Sequence, residues 1–164
     1  MGKAYIRVDD RLIHGQIAVA WAQTLSIGEI IAIDDQTAGN KMLQQIMLMG
    51  VSKSYRPSII TFAEAKDVLI QDVNYNRLVI VRSPEFLNMV IPYINNLDVL
   101  YLGNIQKTPE RLYNLSSGAG GVLFFSNKDI EILEKYDQAG IKIILQMVPS
   151  GSSRNWMQAK KAFK

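Results

Sequence analysis

The chain has no cysteine, a single histidine and no apolar run long enough to cross a membrane. Each absence removes a class of function. Without thiols there are no disulfides, no thiolate nucleophile and no zinc-finger site. A membrane span needs roughly 18 consecutive apolar residues, and none is present. The opening Met1-Gly2-Lys3-Ala4-Tyr5-Ile6 leads into a strand-like run too short for the core of a signal peptide. A cytoplasmic location is the expectation. Charge of one sign is also scarce, with a net +3 at pH 7. The nearest thing to a basic cluster, Lys160-Lys161-Ala162-Phe163-Lys164, reads as a solvated helix end. Nucleic acid is therefore not expected as a partner. A slight positive excess suits an acidic protein partner or a phosphate ligand instead. What is present is ordinary for a globular protein: 164 residues, 48% hydrophobic and 20% charged, forming one domain over residues 1–164.

Strand-like and helix-like patterns alternate from end to end, which predicts a parallel α/β sheet. Strands are expected at 5–8, 29–34, 58–62, 77–82, 99–102, 122–125 and 141–148. The first helix carries Ile13, Ile17, Trp21 and Leu25 on one face, and the next is expected to bury Leu43, Ile46, Met47 and Gly50. Thr61 with Glu64, and Ser126 with Asp129, have capping spacing ahead of helices. Ser83-Pro84 supplies an N-cap and first-turn proline for a helix burying Phe86, Leu87, Val90, Ile91 and Ile94. Thr108-Pro109-Glu110 is a candidate short-helix start within an otherwise loop-like 105–121. Gly140 is positioned as a left-handed helix stop. Trp156, Ala159 and Phe163 mark a closing helix.

The stretch Arg7-Val8-Asp9-Asp10-Arg11-Leu12-Ile13-His14-Gly15-Gln16 runs from the first strand through a charged turn into the first helix. Doubly wound sheets hold ligands at strand carboxyl ends, near helix N-termini. A neutral imidazole is a good nucleophile there, and His14 is a candidate carrier of a phosphoryl group. The free N–H groups of Gly15, Gln16 and the residue after them can bind the transferred group's oxygens. Arg11 adds a charged fork of donors. Asp9 or Asp10 can hold the second ring nitrogen, and the other can hold Arg11. A side chain at Gly15 would block approach to the backbone. Phosphoryl transfer asks chiefly for positioning and charge stabilisation, so this small set suffices.

The same residues also admit a structural role, with His14 as a capping or core residue and the acids as turn formers. A metal site of the form Asp-Asp-x-x-x-His has too few ligands. A dinucleotide site is disfavoured because the turn lacks G-x-G-x-x-G; Asp34-Asp35 then reads as a polar strand exit.

The ten-residue string resembles the signature of the IIB component of the mannose/fructose/sorbose family of the sugar phosphotransferase system. Trp21, Asp34-Asp35, Leu102-Gly103-Asn104-Ile105 and Gln146-Met147-Val148-Pro149 extend the likeness along the whole chain. The resemblance implies a single-domain, doubly wound, mainly parallel sheet with helices on both faces, and the first strand beside the switch point. It implies a phosphotransferase in which His14 is phosphorylated on Nδ1 by phosphorylated IIA. The group then passes to the sugar at the membrane IIC/IID complex, with which the protein associates peripherally. No cofactor and no metal are implied. By position, Asp9, Asp10, Arg11, Gly15 and Gln16 belong to the active-site loop, with Ser83 a further candidate for lining the phosphate site or acting as a helix cap. The rival within the same fold is a non-transporting regulatory phosphoprotein, and a phosphate-binding protein with a structural histidine is a third option. Gly103-Asn104 hints at an amino-sugar member, while specificity among mannose, fructose, sorbose and amino sugars is expected to rest on the membrane subunits. From Gln106 to Gly121 the chain is several residues longer than typical members, which bears on the pairing of strand 122–125 and on partner specificity.

Overall fold

The computed structural model of the chain describes residues 2–116 and 122–163. The first strand, β1 (Ala4–Asp9), is buried along its whole length. It leads into α1 (Gly15–Thr24) and β2 (Ile27–Ile33), then the short α2 (Asp35–Ala38) and α3 (Lys41–Leu48). A 3-10 turn at 53–55 precedes β3 (Ser58–Ile60), α4 (Phe62–Leu69) and β4 (Asn76–Val81). A broken helical stretch, only Leu87–Val90 of which is α (α5), connects to β5 (Leu97–Asn104). Two-residue strands β6 (Tyr113–Asn114) and β7 (Phe124–Phe125) pair with each other. The chain closes with α6 (Asn127–Gln138), β8 (Ile143–Leu145), β9 (Arg154–Asn155) and α7 (Trp156–Lys160).

The main sheet has the order β3-β2-β4-β1-β5-β8-β9. All neighbours are parallel except β8 and β9. Alternation along each strand sorts the core into two layers. Ile6 and Val8 of β1, Val79 and Val81 of β4, and Leu100 and Leu102 of β5 face α4, α5, α6 and α7. Tyr5, Leu78, Ile80, Val99 and Tyr101 face α1 and the 47–55 segment. With both faces covered, strands read as continuous apolar runs rather than alternating ones. Helix α1 leaves β1 toward one face, whereas the connections after β4 and β5 cross the other. The two crevices beside the carboxyl end of β1 therefore lie at the topological switch.

Several expectations need correction. The stripe of α3 does not enter the core: Ile46 is 61% exposed, no residue of the helix is fully buried, and only Met47 and Leu48 pack partly inward. The helix after Ser83 breaks into 3-10, α and 3-10 segments, the last of which contains Pro92. A proline there removes an N–H and ends the α-helical ladder. Ser83 occupies the N-cap position, but its hydroxyl donates to Glu85 Oε1 at 3.1 Å instead of capping. No helix starts at Thr108; its hydroxyl accepts from the Arg111 N–H in a turn. The last strand shrinks to 143–145, and the antiparallel β9 was not expected. Both capping boxes are present as read, at Thr61/Glu64 and Ser126/Asp129. Gly140 has φ +93°, the left-handed stop that glycine favours. Part of the loop-like segment, 117–121, lies outside the described residues.

Candidate functional site

The segment between β1 and α1 is anchored by apolar side chains. Leu12 and Ile13 are 2% and 5% exposed, and Leu12 has φ +63°. A bulky residue in that region is strained by about 1 kcal/mol, tolerated because its side chain is buried. The kink sinks Leu12 and Ile13 while Arg11 is only half-buried and His14 is exposed. His14 is the N-cap of α1, in extended conformation, and its side chain makes no capping bond. The first N–H groups of the helix are thus left unpaired by any cap side chain, with a positive partial charge facing outward.

Neither carboxylate of the turn holds His14. Asp9 is buried and serves as the hub of the loop. Its Oδ1 accepts from the Arg11 backbone N–H at 3.0 Å and from Arg11 Nε at 3.2 Å. Its Oδ2 accepts from Arg11 Nη2 at 3.2 Å and Arg7 Nη2 at 3.4 Å. Asp10 is committed to the exit of β5: Asn104 Nδ2 donates to Oδ1 at 2.6 Å and the Gln106 N–H to Oδ2 at 2.7 Å. The expected carboxylate–imidazole bond is absent because both acids have better-placed donors. The acids are turn organisers, and Arg11 is held by Asp9 through Nε and Nη2.

Gly15 also has a packing role. A Cβ there would meet the Cα and carbonyl oxygen of Gly50 at 3.3 Å. The glycine lets the start of α1 touch the end of the α3 segment. Gln16 lies exposed in the first turn of α1. Ser83 sits two residues past Val81, whose register partner is Val8, so it lies at the same end of the sheet.

Four residues outside the expected set complete the scaffold. Arg7 is 2% exposed beneath the loop, and burial pushes its guanidinium down to about 10, against the opposing pull of Asp9. It donates to the carbonyls of Gln146 and Met147 at 3.1 and 2.9 Å. Trp21 Nε1 donates to the same Met147 carbonyl at 3.0 Å. Together they fasten the segment after β8 against α1. Gly103 leaves room for this: a Cβ would stand 2.2 Å from Arg7 Cζ. Arg82 reaches across the other crevice, donating to the Asp10 carbonyl at 2.6 Å and to Thr37 Oγ1 at 3.0 Å, and pairing with Asp34 at 3.2 Å. Burial opposes the charge on Asp34. Donors from Thr37 and the Arg82 guanidinium outweigh it and hold the carboxyl below the usual range. Asp34-Asp35 is more than a polar exit, since Asp34 caps α2 and Asp35 accepts from the Phe62 N–H. No signal short of the fold marks Arg82, because its partners come from the ends of two other strands, β1 and β2.

The family model for the PTS system sorbose subfamily IIB component matches residues 3–164. The chain belongs to this family. It is a IIB component of a sugar phosphotransferase system, and such components are phosphotransferases. Relatives include the N-acetylgalactosamine-specific phosphotransferase enzyme IIB component 1 of Escherichia coli K12, 22% identical with 87% of this chain and 89% of the relative covered. The sorbose-specific EIIB component of Klebsiella pneumoniae is 20% identical, over 91% of this chain and 89% of the relative. Among solved structures, the IIBSor domain of the sorbose permease from K. pneumoniae superimposes with a TM-score of 0.85 at 20% identity, covering 100% of this chain and 99% of that one. The manxB structure from Thermoanaerobacter tengcongensis gives 0.83 at 21% identity, covering 98% and 96%. These likenesses establish the mainly parallel α/β fold of IIB components. Among the described residues, no helix of this IIB chain is long and apolar enough to cross a membrane.

Proposed function

We propose that His14 is the phosphoryl relay of this IIB component. The neutral ring, with its proton on Nε2, attacks through Nδ1 the phosphorus of a phosphohistidine on a IIA protein. A new N–P bond forms as the donor's N–P bond breaks. In the second half-reaction a hydroxyl of the sugar entering through the IIC/IID membrane complex takes the phosphoryl group: an O–P bond forms as the Nδ1–P bond of His14 breaks, and the hydroxyl proton passes to the released imidazole or to solvent, returning His14 to its free neutral state. The observation that carries the reading is that the only histidine of the chain stands exposed at the mouth of α1 with no capping bond. There the first amides of Gly15 and Gln16 can receive the phosphoryl oxygens, and Arg11 supplies positive charge. Asp9 and Asp10 act by fixing the loop. Ser83 is a flanking residue whose hydroxyl is already committed to Glu85. The protein works in the cytoplasm, visiting the membrane complex peripherally.

The test is labelling. Wild-type protein incubated with ³²P-phosphorylated IIA should take up one acid-labile phosphoryl group, and His14→Ala should take up none while its circular dichroism and melting temperature stay those of the wild type. Undiminished label on the variant would sink the assignment.

A further inference from the structure

Helix α3 leaves Met42 and Ile46 72% and 61% exposed, and its C-cap residue Met49 82% exposed. Spacings of four and three put the three side chains on one stripe. The stripe leads to the candidate site, since Gly50 follows Met49 and lies against Gly15, next to His14. The chain segment that carries it has charge of one sign. From Gln36 to Ala63 there is no Asp or Glu, whereas Lys41, Lys53 and Arg56 are exposed. Lys53 and Arg56 line an open groove together with Leu48, Met49, Val51 and Pro57.

We propose that the Met42–Ile46–Met49 stripe and this groove form the docking surface for the protein phosphodonor, whose matching face is apolar at its centre and acidic at its rim. The proposal rests on the relay assigned to His14. A donor that carries its phosphoryl group on a side chain must bring its own surface into contact with whatever surrounds His14. The α3 stripe is an exposed apolar surface joined to that position by direct backbone contact. Methionine suits such a place because it adapts its shape to a partner. An apolar centre with a charged rim is the usual anatomy of a transient interface. A second copy of this chain is a poorer occupant, because it would set two basic rims against each other. Of the other exposed apolar residues, Ile70, Met89 and Met157 belong to elements packed on the opposite face of the sheet, and Leu112 and Tyr113 to the segment between β5 and β7.

The experiment measures initial rates of transfer from ³²P-phosphorylated IIA at increasing donor concentration. The variants are Met42→Glu combined with Ile46→Glu, Met49→Glu alone, and Met157→Glu as a control. The first two should raise KM about tenfold or more with a saturating rate near that of the wild type, and the control should change neither. Raising salt from about 50 to about 500 mM should raise the wild-type KM as the charged rim is screened. Phosphoramidate, a small phosphodonor that needs no protein interface, should label wild type and α3 variants equally. An unchanged KM in the α3 variants overturns the docking surface, and so does an equal loss of phosphoramidate labelling, which would place the defect in the site itself. A wild-type dimer that the double variant dissociates in sedimentation assigns the stripe to self-association and also overturns it. If wild type takes label from neither donor, the relay at His14 falls, a result distinct from labelling that is insensitive to α3.

Discussion

Residue chemistry in this site divides between side chains that hold the loop and side chains left free. Asp9 accepts from Arg7, from the Arg11 guanidinium and from the Arg11 N–H, which is why a buried carboxylate is tolerated next to a buried arginine. Arg11 differs from Arg7 in being about one-third exposed, so its ion pair contributes little to stability. Arg11→Ala should therefore shift unfolding by no more than about 1 kcal/mol. It should slow phosphoryl transfer about tenfold or more, as expected when a charged donor to a developing anion is removed. Denaturant titration beside single-turnover labelling checks both halves; a collapse of stability would make Arg11 a structural residue. The charged pattern around His14 was legible in the sequence, but not its division of labour. Asp10 is claimed by Asn104 and Gln106, 94 and 96 residues away in the chain. No local pattern can announce such partners.

At the level of elements, local chemistry was read best where the partners are neighbours in sequence. The capping boxes of α4 and α6 need only residues three apart, and both form. Ser83 looked similar because a serine precedes a proline, yet its hydroxyl turns to Glu85. The two serines should respond differently. Ser126→Ala removes an acceptor from the Asp129 N–H and should cost about 1 kcal/mol, whereas Ser83→Ala should cost less than about 0.5 kcal/mol. Chemical denaturation of both variants measures the contrast, and equal costs would show that Ser83 contributes as a cap after all. Amphipathicity misled at α3, where Ile46 belongs to a periodic stripe that faces solvent. Periodicity reports that a helix has an apolar side; what covers that side is a tertiary or quaternary matter.

Across the whole molecule, the sheet order decides the site. Because β1 lies between β4 and β5, its exit loop meets Arg82 from one neighbour and Asn104 from the other. Arg82 also binds Asp34 and Thr37 beyond β2, so three strand ends are tied by one guanidinium. This tie has a pH dependence. Asp34 has a lowered pKa in the folded protein, despite the opposing effect of burial. A depressed carboxylate adds stability that is fully present above its unfolded value, near 3.9, and is lost as pH falls through the folded value. The melting temperature of wild type should exceed that of Asp34→Asn at pH 7, and the gap should close on acidification below about pH 4. A gap that persists unchanged at pH 3 would show that the charge on Asp34 does not hold the strand ends.

The sequence by itself determined the alternating α/β architecture, the capped starts of α4 and α6 and the charged turn with its lone histidine. Those depend on periodicity and on contacts a few residues apart. Only the tertiary structure decided what each charged group touches. It gave Asp9 the expected hold on Arg11 and tied Asp10 to the exit of β5, leaving neither acid for the imidazole, and it made Gly15 a contact for Gly50 and Gly103 the space for Arg7. It also brought in Arg82. Hydrogen bonds and close packing between distant strands are set by sheet order and register, and neither is written in local sequence.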